Sequence, residues 1–181
     1  MIQNQANIFS KNLTNQIALK LSMKLILLSL SHSAALALGI GLGIYWLPIL
    51  TEPDAPDLIA VEANQAGEPV YTARFDRDRA GSDYFHWGEG DVRIYESTIT
   101  FKGELAPGPD YRLYLAPRYV ENEAEFLAIK EQSLEVGPVN TFNGFAFNNV
   151  SSLGDPALNT LVVWCEAFGE FITSARFRSE L

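Results

Sequence analysis

A run without charge restricts this chain more than any other feature. From Leu25 to Leu50 (LILLSLSHSAALALGIGLGIYWLPIL) there are 26 residues and no Asp, Glu, Lys or Arg. A helix needs roughly 20 apolar residues to cross a bilayer. A secretory signal peptide has an apolar region of only about 7–15 residues and a small-residue cleavage site. This run is longer and closes on Tyr45-Trp46, residue types that favour the membrane interface. The expectation is an uncleaved signal anchor, with residues 25–50 in the lipid bilayer of a single-pass membrane protein. Cleavage after Ala35 or Ala37 is the alternative.

Charge gives the expected orientation. Lys11, Lys20 and Lys24 precede the run with no acidic residue among them. Beyond it stand 22 acidic and 10 basic residues, a net of −12. The positive-inside rule then predicts a cytoplasmic tail over 1–24 and a periplasmic or extracellular C-terminal domain. Met23-Lys24 is a second natural start. Gly39 and Gly43 form a G-x-x-x-G pair of the kind that lets helices approach closely. His32 lies inside the run, flanked by Ser29, Ser31 and Ser33, and reads as a neutral ring bonded locally or snorkelling.

Residues 51–68 open with Thr51-Glu-Pro-Asp-Ala-Pro-Asp57, a stiff solvated stalk. The folded part is then expected over 69–181. Strand-like runs occur at Pro69–Phe75, Asp91–Phe101, Asp110–Ala116, Leu134–Thr141, Gly144–Val150, Thr160–Phe168 and Glu170–Phe177. Glu121–Gln132 is the one helical patch, of no more than three turns. The predicted class is all-β: an antiparallel β-sandwich-like extracytoplasmic domain with one short helix, behind a single transmembrane helix.

The stretch Leu161–Phe168 holds the chain's only cysteine. Alternation puts Leu161, Val163, Cys165 and Ala167 on one face, and Val162, Trp164, Glu166 and Phe168 on the other. One cysteine excludes an intramolecular disulfide and a multi-cysteine zinc site. No C-x-x-C-H is present. Cys165 is therefore a thiolate ligand, a lone redox thiol, a site of intermolecular pairing, or inert packing. His86-Trp87-Gly88-Glu89-Gly90 sets a titratable ring beside an aromatic in a glycine-rich turn. Asp76-Arg-Asp78 fails as a calcium loop, because Ala80 and Trp87 occupy ligand positions. Asn149-Val-Ser151 is a glycosylation sequon. The acidic balance argues against nucleic acid. No serine nucleophile elbow, zinc-protease motif or phosphate loop is present, so no classical enzyme is indicated.

Several of these pieces stand in an order that resembles the electron-transfer DM-thirteen family over about residues 70–178. They are Phe75-Asp76, His86–Gly90, Leu105–Leu115 with Gly108-Pro109-Asp110, Val136-Gly137, Phe142-Asn-Gly144, and Val163–Phe168 with Phe171 and Ala175. The resemblance implies a β-sandwich-like extracytoplasmic domain with a redox role centred on Cys165. That role is as a free thiol or as a ligand to a prosthetic group such as haem. It also implies a Cys165–His86 pair across a pocket, with Trp87 and Trp164 as pocket walls. Arg176 or Arg178 is expected to supply positive charge to the thiolate, and Glu166 to oppose it. The second hypothesis is a binding ectodomain in which Cys165 is core packing and the acidic surface meets a basic protein partner.

Overall fold

The computed structural model describes residues 2–179, with side chains from residue 15 onward. The chain divides into a helical unit up to Ile44 and a β domain from Tyr45 onward. Helix α1 runs Ile2–Leu50. Within it, Asn15–Leu50 is long and apolar enough to cross a membrane. His32 Nδ1 lies 2.8 Å from the Leu28 carbonyl oxygen, the local bond expected of it.

The β domain holds eight strands in two four-stranded antiparallel sheets. The first has the order β1 (Tyr71–Phe75), β2 (Gly88–Ile94), β3 (Ile99–Leu105), β6 (Gly144–Phe147). The second has the order β5 (Leu134–Val139), β4 (Tyr111–Ala116), β7 (Thr160–Cys165), β8 (Glu170–Arg176). Phe75, Val92 and Phe101 of the first sheet meet Leu113, Val163 and Ile172 of the second in one fully buried core. Each such side chain contributes about 1.5–3 kcal/mol through removal from water.

Local sequence explains most of these elements. In β2, Gly88, Gly90, Val92 and Ile94 point inward while Glu89, Asp91 and Arg93 point out. Arg74 of β1 bridges Glu89 and Asp91 at 3.0 and 2.9 Å. Gly90 faces Gly103 across the β2–β3 ladder. A Cβ on Gly103 would stand 2.1 Å from the Glu89 carbonyl oxygen, so the two backbones approach only because both positions lack side chains.

Three expectations need correction. The single run Asp91–Phe101 is the end of one strand, a turn and the start of the next. Tyr95 N–H bonds to the Thr98 carbonyl at 2.8 Å and closes the hairpin. There is also more than one short helix. Besides α3 (Glu123–Leu127), residues 58–63 form α2 (Leu58–Ala63), N-capped by Asp57. The segment read as a stalk lies against the first sheet: Glu62 accepts from Arg93 and from Thr100, and Glu52 accepts the Phe142 N–H at 2.7 Å.

The antiparallel registers bring four connections to one end of the sandwich: residues 76–87, 106–110, 140–143 and 166–169. Residues 47–53 line a groove of about 420 Å³ at this same end, with Gly108, Pro109, Asp110, Val139, Asn140 and Phe142. The chain thus enters the β domain where Cys165 ends its strand.

Candidate functional site

Strand β7 is buried on both faces, because alternation serves two cores. Leu161, Val163 and Cys165 enter the space between the sheets. Val162 and Trp164 enter a second cluster with Tyr114, Phe126, Ile129 and Phe171, roofed by α3. The facing pattern expected for residues 161–165 holds. It stops there: the chain turns over 166–169, where Gly169 (φ +70°) donates its N–H to the Cys165 carbonyl at 2.9 Å. Phe168 is therefore an exposed turn residue and not part of the strand face.

Cys165 is 2 % exposed. It stands opposite Tyr111 of β4 on one side and Glu170 of β8 on the other. Its thiol donates to the Pro109 carbonyl oxygen at 3.1 Å. Burial pushes the thiol pKa up; the backbone N–H groups of Phe168 and Ala167 pull it down, and Asp110 and Glu170 add to the rise. The net direction is upward, so the resting sulfur carries its proton. The turn Gly108-Pro109-Asp110 shapes this environment. A Cβ on Gly108 would stand 2.3 Å from the Tyr111 hydroxyl, so glycine makes room for that ring. Asp110 adopts φ +51°, and its carboxylate takes Arg112 at 2.8 Å. Burial first, and the nearby sulfur second, raise the Tyr111 pKa.

The arginines expected beside the thiol lie elsewhere. Arg176 pairs with Thr160, at the opposite end of the β7–β8 ladder from Cys165. Arg178 donates to the carbonyls of Leu153, Asp155 and Leu158. Glu166 does not oppose the thiol either. It sits on the second-cluster side, where Lys130 donates to Oε2 at 2.7 Å and the Tyr114 hydroxyl bonds to Oε1. Burial pushes Glu166 up, but these two donors outweigh it and hold its pKa below the usual carboxylate range. Beside them the buried Trp164 Nε1 has no hydrogen-bond partner, and Lys130 Nζ lies 5.4 Å from the Trp164 ring. This cluster was not anticipated. Its signal was the side-chain alternation itself, which sends Glu166 to the face under the helical patch that carries Lys130.

His86 lies in the loop before β2, with Nδ1 3.0 Å from Asp83 Oδ2. Trp87 carries the Arg77 guanidinium 3.6 Å over its ring. Trp87 connects to the thiol through one segment: its carbonyl accepts the Ala106 N–H, and three residues on, Pro109 accepts the thiol. Among the described residues no group of three or more His, Cys, Asp or Glu side chains forms a metal cage.

A model of the family described as electron transfer DM13 matches residues 79–177, more than half of the chain. The chain belongs to the electron transfer DM13 family. No curated protein and no solved structure matches it. The DM13 match takes in the loop with His86 and Trp87, the Gly108-Pro109-Asp110 turn, and β7 with Cys165.

A haem bound through sulfur needs an open axial approach to a thiolate. Cys165 is enclosed, protonated and bonded to Pro109, and it is not among the residues lining the nearby groove. Trp164 points into the opposite cluster. The residues as arranged do not fit haem ligation.

Proposed function

We propose that the chain is a membrane-anchored, extracytoplasmic electron-transfer module in which Cys165 is the redox group. The observation that carries this is the DM13 match, with Cys165 inside it at the loop end of the sandwich. Since the chain has one cysteine, oxidation of the thiol has two outcomes that balance. With a partner's thiol it forms a disulfide, and with water it forms a sulfenic acid; each releases two protons and two electrons to an acceptor. Reagents reach the sulfur only when the 106–110 turn or the 166–169 turn opens. On this reading His86 and Trp87 belong to the wall of the loop end and not to a ligand set.

A second reading has its own observation. A thiol 2 % exposed, with its pKa raised and its proton given to a carbonyl, is what inert packing looks like. The acidic domain would then bind a basic protein partner.

The test is redox titration of the full chain, purified from a haem-competent host and read by alkylation of Cys165, beside Cys165→Ala. Alkylation of the folded protein faster than its unfolding, lost on oxidation and restored by reductant, supports the redox thiol. Alkylation only at the unfolding rate refutes it and leaves the binding ectodomain. A Soret band that shifts on reduction and disappears in Cys165→Ala would show that the sulfur does open to haem.

A further inference from the structure

We propose that the loop end of the β domain rests in the lipid–water interface, with Tyr84, Phe85 and Phe168 as aromatic anchors. This rests on residues 25–50 being in the bilayer.

Among the described residues the exposed aromatic side chains are Tyr45, Trp46, Tyr84, Phe85 and Phe168. All five belong to one end of the domain. Tyr45 and Trp46 are in the last turns of α1; Tyr84 and Phe85 are in the 76–87 connection; Phe168 is in the 166–169 turn. The opposite end, with the 95–98, 117–133 and 148–159 connections, has none. Tyr84 is 83 % exposed, and Phe85 and Phe168 are 57 % each. Four rings form a chain of edge contacts: Tyr84 to Phe85 at 5.0 Å, Phe85 to Tyr45 at 6.5 Å, and Tyr45 to Trp46 at 6.1 Å. Tyr84 and Phe85 are thus continuous with Tyr45 and Trp46.

The loop that carries two of them is held in shape. Asp83 accepts the N–H groups of Phe85 and His86 at 2.7 and 2.8 Å and takes the His86 ring. Several polar groups nearby are bonded locally: Asp83 to the His86 ring, Asp110 to Arg112, and Arg77 stacked on Trp87. The Tyr ring favours the headgroup boundary, where its apolar body and polar edge are both accommodated, and the Phe rings gain by burial at the headgroup–acyl boundary. With a net of −12 beyond the span, attraction to anionic lipid does not drive the contact, so it is insensitive to salt. The consequence for the proposed redox group is that Cys165 faces the membrane and exchanges with a membrane-borne partner.

The test uses the full chain in phosphatidylcholine bilayers, with and without bromine near the headgroup end of the acyl chains. Trp46→Phe and Trp87→Phe leave the buried Trp164 as an internal reference. Into this background go Phe85→Trp and Phe168→Trp separately, both at exposed positions; a further variant keeps Trp46. The expected result is that the indoles at 85 and 168 lose at least half their emission to brominated lipid, at low and high salt, while Trp164 does not. Quenching of Trp46 without quenching at 85 and 168 overturns the proposal and leaves the anchor standing. No quenching at any of the three overturns the anchor as well. Emission at 85 that shifts only with protein concentration overturns it in favour of a second copy of the chain.

Discussion

Raising the pH tests whether the Cys165 thiol is as enclosed as the geometry has it. Burial raises its pKa in the folded state, whereas the unfolded chain releases that proton near pH 8.5. Below about pH 8.5 both states hold the proton and the stabilisation is fully present. Above it the unfolded state binds fewer protons, so stability falls as pH rises toward the folded pKa. The fall is about 1.4 kcal/mol per pH unit. Cys165→Ala removes this dependence. At pH 7 it costs about 1–2 kcal/mol, from the cavity left by the sulfur and the lost bond to Pro109. The buried tyrosines Tyr111 and Tyr114 titrate in both proteins and largely subtract out. The gap between wild type and Cys165→Ala is therefore at its full size up to about pH 8.5 and narrows as pH rises above it. Urea unfolding of the full chain in detergent, followed by tryptophan emission, reads it. With a slope of about 2 kcal/mol per molar urea, one pH unit moves the relative midpoint by about 0.7 M. A gap that stays constant from pH 7 to 9.5 would falsify the enclosed thiol.

Four further outcomes are expected. Gly108→Ala displaces the Tyr111 ring, costs about 2–3 kcal/mol and accelerates alkylation of Cys165 in the folded protein; unchanged alkylation would separate this turn from the thiol. Gly103→Ala, facing the Glu89 carbonyl, costs about 3 kcal/mol by urea unfolding with no such effect on alkylation. Lys130→Met strips Glu166 of its cation and costs about 1–2 kcal/mol at pH 7. Because the folded Glu166 pKa is lowered, that difference is present above the ordinary carboxylate pKa and vanishes as pH falls through the folded value; a loss that persists in acid would contradict the ion pair. Trp164→Phe costs less than about 1.5 kcal/mol in thermal unfolding, because the lost ring area is offset by removing a buried N–H without a partner.

The sequence shows the strands where a single face decides burial, and hides them where two do. Strand β2 alternates cleanly, yet it was merged with β3, because Tyr95-Glu96-Ser97-Thr98 holds neither glycine nor proline to announce the turn. Strand β7 was legible as a strand and in its facing, since both faces are apolar and differ in bulk. What lay beyond reach was position along the ladder. Arg176 and Arg178 are near Cys165 in sequence and on the adjacent strand, but an antiparallel register sends them to the far end and sets Glu170 beside the thiol. Residues 51–68 read as solvated because their acids and prolines dominate; the carboxylates of Glu52 and Glu62 in fact bond to the sandwich.

The Gly108-Pro109-Asp110 motif has a physical reason that joins the turn to the thiol. Glycine is needed because Tyr111, three residues later, folds its ring back onto that backbone. Proline fixes the turn's φ and presents its carbonyl to the sulfur. Asp110 takes a left-handed conformation that polar side chains tolerate, and its carboxylate fixes Arg112 on the strand that follows. The same turn lines the groove where the chain enters the domain. Opening it exposes the sulfur at the loop end of the sandwich. A redox thiol guarded in this way reacts with a partner that reaches the loop end, while bulk oxidants meet a protonated, enclosed sulfur. Burial of Cys165 is then compatible with a redox role only if this turn or the 166–169 turn moves. The rate of alkylation in Gly108→Ala, compared with that of the intact turn, measures that dependence directly.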